Sequence, residues 1–230
     1  MSRYARAMST TPGLRERKKE QTRRQIAETA RTLFAERGFD AVTVAEIARA
    51  ADVSEATVFN YFPTKEDLVY GRMESFEDEL LGAVRDRAGD ESALEAFSRF
   101  VLQRRGLLAT KDADEQLLAI TRMIAESPAL LAREEQIFLR YTRSLASLLA
   151  DETGAGPDDV EPWVAANALM GVHRGLIAHV RQQVLAGRRN PGLARDVRTQ
   201  GERALALLES GLGRYAVKPR AVPSTVADGD

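Results

Sequence analysis

The sequence predicts an all-α protein in two parts, a small N-terminal helix-turn-helix domain followed by a larger helical domain. Three observations carry this expectation. Apolar residues recur at helical spacing along most of the chain, no segment of useful length alternates with period two, and two helix caps and a proline stop crowd into residues 43–67.

The first helix is expected over 15–37, with Ile26, Ala30, Leu33 and Phe34 at helical spacing and Gly38 as its C-terminal break. Thr43 is a good N-cap for the second helix. Glu46 stands three residues on, which makes a capping box ahead of the apolar repeat Val44, Ile47, Ala48, Ala51. Asp52-Val53-Ser54 forms the turn, with Val53 as the apolar plug and Ser54 as N-cap of the third helix. Pro63 ends that helix, because the residue before a proline is pushed out of the α region. Thr64, with Asp67 at the matching position, caps a fourth helix running from Lys65 to about Arg87 along Val69, Met73, Phe76, Leu80 and Val84. Further helices are expected at 91–109, 113–126, 128–150, 158–187 and 192–213, separated by turn-forming breaks. Residues 1–14 and 217–230 are poor in large apolar groups and are expected to be disordered. The expected domains are therefore 15–64 and 65–216.

A short helix, a tight turn and a second short helix crossing it make a helix-turn-helix, whose second helix enters the major groove of DNA. On that helix Glu55, Ala56, Phe59 and Asn60 fall within an arc of roughly 140° at about 100° per residue, while Val58 and Phe62 anchor it to its domain. Asn60 can pair with adenine, Glu55 can accept from cytosine, and Ala56 can touch a thymine methyl. Charge supports this placement. The net charge of −1 hides a net of +6 over residues 1–24, with eight basic side chains against two acidic. Such a segment directly before the motif supplies counterion-releasing contacts to phosphates.

Composition excludes several classes. No run approaches the ~18 apolar residues of a membrane span, and the N-terminus shows no apolar signal segment, so a cytoplasmic protein is expected. The absence of cysteine excludes disulfides and cysteine-based zinc sites. His173 and His179 are six apart on one helix and fall on different faces, so they form no i, i+4 metal pair. The chain has no nucleotide-cradling glycine loop, no metal-ligand cluster and no nucleophile with a recognisable base. No catalytic residue, cofactor or metal is expected, and the chain is not read as an enzyme.

The run from Gln25 to Leu68 resembles the DNA-binding domain of the tetracycline-repressor (TetR) family. The matching residues are Phe34-Ala35-Glu36-Arg37-Gly38-Phe39, Thr43-Val44-x-x-Ile47-Ala48, Ala51-x-Val53-Ser54, Thr57-Val58-Phe59-x-Tyr61-Phe62 and Lys65-x-x-Leu68. The resemblance implies that Thr43, Thr57, Tyr61 and Lys65 hold phosphates, which suits Thr43 and Lys65 at helix N-termini. Two departures follow from the residues. Phe59 stands where the family commonly has a tyrosine, and the recognition helix has no arginine or lysine, so the commonest guanine contact is unavailable. More of the affinity then falls to Arg15, Arg17, Lys18, Lys19, Arg23 and Arg24.

The resemblance also implies that the larger domain binds a small ligand and dimerises. Its sequence looks somewhat like the actinobacterial group that takes acyl-CoA-like ligands. Ala168, Gly171, Gly175 and Ala178 form a stripe of small residues, and Leu205, Leu208 and Leu212 recur at helical spacing on the last helix. Two such helices and their symmetry mates would make a four-helix dimer interface, or the same residues pack within the chain. Phe97, Phe100, Arg122, Met123, Tyr141 and Trp163 could line a pocket or simply fill the core. Arg122, amid Leu117, Leu118, Ile120 and Ile124, suits an anionic ligand group or a glutamate partner. The expected function is a homodimeric repressor on a palindromic double-stranded DNA operator, with half-sites about one helical turn (~34–36 Å) apart. A small hydrophobic or acyl-CoA-like inducer would release it. The alternative is an activator or a ligand-independent regulator of the same fold.

Overall fold

The structure is a computed structural model that describes residues 13–71, 74–103, 114–189, 191–212 and 217–218. Among these residues there are ten α-helices and no strand. They are α1 (Leu14–Arg37), α2 (Val44–Ala50), α3 (Glu55–Tyr61), α4 (Asp67–Tyr70), α5 (Glu74–Arg85), α6 (Ala93–Gln103), α7 (Asp114–Glu126), α8 (Pro128–Thr153), α9 (Glu161–Leu185) and α10 (Gly192–Leu212). The chain divides into two compact units, Met1–Arg72 and Met73–Asp230.

In the first unit α1 packs on α2 and α4, and α2 packs on α3. Ile26, Ala30 and Phe34 of α1 are buried with Ile47, Ala48, Val58, Phe62 and Leu68. The expected caps form. Thr43 Oγ1 accepts from the Glu46 N–H at 3.2 Å, and Glu46 Oε2 accepts from the Thr43 N–H at 2.8 Å. Thr64 and Asp67 repeat the exchange at 3.3 and 3.0 Å. Asp52, in the turn, has φ of 53°, a left-handed conformation that a short polar side chain tolerates. Residues 15–24 are the first turns of α1, within the helix expected over 15–37. The domain boundary differs. The division falls after Arg72 and not after residue 64, because α4 packs on α1 and buries Leu68 and Tyr70. The single helix expected over 65–87 is described as α4 and α5, with residues 72 and 73 outside the described residues.

In the second unit α9 lies against α8, α10 and α7, α10 also against α6, and α5 against α6 and α8. The core includes Leu80, Phe97, Leu130, Tyr141, Leu145, Leu149, Leu169 and Met170. Ser127 caps α8, Pro128 occupies its first turn, and Gly154 ends it in the left-handed region at φ 67°. A charge-assisted contact joins α9 to α8, where Arg181 Nη2 donates to both Glu134 oxygens at 2.7 and 2.8 Å. Arg87, almost fully buried, meets Glu152 at 2.6 Å. The tail expected over 217–230 is anchored at its start. Lys218 exchanges backbone hydrogen bonds with Asp90 and Glu91, and its Nζ donates to the Arg85 carbonyl at 2.9 Å, which occupies an open acceptor near the end of α5. Among the described residues, no helix is long and apolar enough to cross a membrane.

Candidate nucleic-acid interface

α3 is positioned from its inner side. Val58 and Phe62 are each 1% exposed, and Ser54 Oγ accepts from the Thr57 N–H at 3.1 Å to start the helix. The opposite face is therefore turned outward, and Glu55, Ala56, Phe59 and Asn60 are all exposed. Thr57 and Tyr61 are half-buried at the edges of this face, with Thr57 Oγ1 held 2.8 Å from Ser54 Oγ. The four residues that the helical arc groups together thus do share one open surface.

Thr43, also exposed, holds its hydroxyl in a local network. Its Oγ1 donates to Glu46 Oε2 at 2.9 Å, and Arg37 Nη2 donates to the other oxygen of Glu46 at 2.8 Å. The Glu46 carboxyl is pulled down to about 2, first by the Thr43 backbone N–H and then by the Arg37 side chain and the Thr43 hydroxyl. Lys65 is half-buried, with Nζ 4.2 Å from the Phe39 ring centre and 5.9 Å from that of Phe34. Burial lowers its pKa, against the raising influence of Asp40, Glu66 and Glu46. Its ammonium is thus engaged with aromatic faces inside the unit.

Arg23 departs further from expectation. Its Nη1 donates to the Tyr61 carbonyl at 3.2 Å, its Nη2 to the Gly71 carbonyl at 3.5 Å, and its guanidinium lies 4.7 Å over the Phe62 ring. It fastens α1 to the ends of α3 and α4. The reason is position, since Arg23 is three residues before the buried Ile26 and shares its face. The other cations of α1 divide by the same geometry, at roughly 100° per residue. Arg15, Lys18 and Lys19, with Thr22, lead down the stripe to Ile26, while Arg17, Arg24 and Arg31 recur every seven residues on the far side. Arg15, Arg17, Lys18, Lys19 and Arg24 are exposed, and Arg24 pairs with Glu20 at 2.8 Å.

In the second unit Phe97 and Tyr141 are fully buried, and Phe100 and Met123 are half-buried. Phe100 and Tyr141 both meet Phe76, at ring distances of 5.4 and 5.1 Å. His173 stacks on Phe76 at 4.6 Å and meets the edge of Phe138 at 6.0 Å. Phe76, Phe138 and His173 join these rings although the sequence did not group them with Phe100 and Tyr141, and Phe76 lies in the apolar stripe of its helix. Arg122 and Trp163 do not join the cluster's setting. Arg122 is exposed on the same side of α7 as Glu115, Ala119 and Glu126, and Trp163 is 41% exposed. One residue after the buried Thr121 the helix has turned by about 100°, which carries Arg122 off the buried side.

Of the stripe on α9, Gly171, Gly175 and Ala178 are exposed and Ala168 is half-buried. On α10 Leu205 is 5% exposed and packs within the chain, the second of the two readings its spacing allows. Leu208 is half-buried, and the side chain of Leu212 lies outside the described residues. The outward leucine of α10 is Leu207, at 80% exposure. His179 Nε2 lies 2.8 Å from Asp196 Oδ2, away from His173, and no cluster of potential metal ligands occurs among the described residues.

Comparison with known proteins places these features. Residues 26–70 match the family model for bacterial regulatory proteins of the tetR family, and residues 92–213 match that for the MftR C-terminal domain. The chain is 32% identical over 152 residues to the HTH-type transcriptional regulator TcmR of Streptomyces glaucescens, covering 64% of this chain and 67% of that protein. It is 27% identical over 187 residues to MftR of Mycobacterium tuberculosis, named as a candidate regulator of mycofactocin biosynthesis, covering 77% and 83% respectively. The fold is that of FadR from Bacillus subtilis, solved in complex with stearoyl-CoA, with a TM-score of 0.50 at 20% identity over 82% of this chain and 98% of that one. A helix-turn-helix with its reading face open, followed by a helical domain that matches a family model over most of its length, makes this chain a member of the TetR family of DNA-binding transcriptional regulators.

Proposed function

We propose that the protein is a homodimeric repressor that leaves its operator when a small hydrophobic or acyl-CoA-like molecule binds the second unit. The observation that carries the dimer is the outward side of α9. Val160, Val164 and Leu185 are 68%, 57% and 45% exposed, and Gly171, Gly175 and Ala178 lie open between them at intervals of three to seven residues. A helix already buried on one side has little reason to be apolar on the other unless that side is covered. Small residues in mid-stripe let a second backbone come close, and Leu207 of α10 is a further exposed large apolar side chain.

In each protomer α3 enters the major groove, with Glu55, Ala56, Phe59 and Asn60 toward base edges. Thr43, Thr57 and Tyr61 border that face and lie toward phosphates. Lys65 supplies charge from its aromatic seat, and Arg15, Lys18 and Lys19 add exposed positive charge from the first turns of α1. The ligand site is built from Phe97, Phe100, Met123 and Tyr141 with Phe76, Phe138 and His173, an aromatic and sulfur-bearing surround suited to an apolar chain or ring. Binding there favours a state of lower operator affinity, by as much as the ligand's affinities for the two states differ.

The test is release. Protein held on a fluorescent operator recovered by selection is titrated with stearoyl-CoA and shorter acyl-CoAs while anisotropy is followed. The proposal expects a saturable fall in anisotropy. An operator complex indifferent to every chain length, and to a panel of hydrophobic compounds, would leave a regulator without the proposed sensor.

A further inference from the structure

The outer face of α3 is chemically unusual for a surface that reads DNA. It carries one carboxylate, Glu55, one amide, Asn60, and between them Ala56 and the 46% exposed Phe59. Ala56 and Phe59 are three residues apart, so their side chains adjoin on the helix surface as one apolar patch. No arginine or lysine occurs in the helix. A phenyl ring offers neither donor nor acceptor, so it cannot answer the nitrogen and oxygen pattern of a base edge. The major groove presents one apolar group that varies with sequence, the C5-methyl of thymine. Single exposed apolar residues need no special account. An apolar patch at the centre of a groove-entering face, with a charged and an amide side chain beside it, has a partner of matching chemistry.

We propose that Phe59, backed by Ala56, reads thymine methyl groups in each half-site, and that this apolar contact replaces the guanine contact α3 cannot make. The proposal rests on α3 being the helix that enters the major groove. It assigns Phe59 a specificity role rather than a structural one, since the ring is half in solvent while Val58 and Phe62 hold the helix.

The experiment starts from an operator selected from a random DNA pool and replaces its thymines with deoxyuridine one at a time. Deoxyuridine removes the methyl and leaves every hydrogen-bonding group. At the position read by Phe59, wild-type affinity falls about fourfold for each methyl removed. With Phe59→Ala the same replacement costs nothing, and Phe59→Leu keeps part of the penalty, while both variants melt with the wild type. Uracil tolerated at every position, or an equal penalty in wild type and Phe59→Ala, overturns the methyl reading and leaves α3 in the groove. Failure of the selection to enrich any sequence would overturn the groove placement itself, and the proposal with it.

Discussion

Glu46 accepts from the backbone and hydroxyl of Thr43 and from Arg37, and it stays ionised for that reason. Its folded-state pKa of about 2 lies below the ordinary value of 4.5. A depressed carboxyl stabilises the fold fully above its unfolded pKa and loses that contribution as pH falls through the folded one. The advantage of wild type over Glu46→Gln in urea midpoint should therefore be largest at neutral pH and shrink between about pH 4.5 and 2. A difference constant with pH would show that the capping box works without its charge. Arg23 makes a second prediction at this scale. Arg23→Ala removes hydrogen bonds from a charged donor to two main-chain carbonyls, so melting of the first unit should drop by roughly 5 °C or more. The salt slope of DNA binding should stay as in wild type. A normal melt with a shallower slope would return Arg23 to the phosphates.

Elements decide which cations of α1 matter, because a helix sorts its residues by angle. The triple variant Arg15→Ala, Lys18→Ala, Lys19→Ala should bind all DNA sequences more weakly, with the slope of log K against log salt falling by about 0.9 for each phosphate no longer neutralised. The double variant Arg17→Ala, Arg24→Ala should change that slope little, and equal effects in the two variants would mean that the face of α1 is irrelevant. α9 supports a parallel test. A Cβ added at Gly175 meets nothing within 4 Å in the protomer, so Gly175→Leu has room in a single chain. Sedimentation should show it at half the wild-type mass with helical circular dichroism retained, and an intact dimer would move the interface off this stripe. The same scale explains what the sequence made legible. The caps at Thr43 and Ser54 and the stop at Pro63 are local chemistry, and they locate α2 and α3 from the sequence alone, whereas α4 begins at Asp67 and not at Lys65. The directions of Arg23 and Leu205 were not legible, because both sit on faces whose surroundings depend on which neighbour packs there. Arg122 has apolar neighbours along the chain, but around the helix it stands among Glu115, Ala119 and Glu126, and only the second arrangement decides its exposure.

At the scale of the whole molecule, a reading face of four residues cannot specify a genomic site alone, since each half-site offers only a few base contacts. Two copies joined through α9 would double the readout and impose a fixed spacing, and α1 would add affinity without sequence information. This division of labour explains how a chain of net charge −1 binds DNA. Its positive charge is gathered in residues 1–24, and the remainder is net negative. The aromatic cluster of Phe76, Phe100, Phe138, Tyr141 and His173 was only partly legible in the sequence, because its members come from four helices far apart in the chain. The homodimeric reading of paired half-sites is tested most directly by selecting bound sequences from a random DNA pool and measuring the mass of the complex on the winner. The account predicts an inverted repeat whose half-site centres lie about one helical turn apart, or a multiple of it, carrying protomers in pairs. An unrepeated site occupied by a single protomer would contradict it.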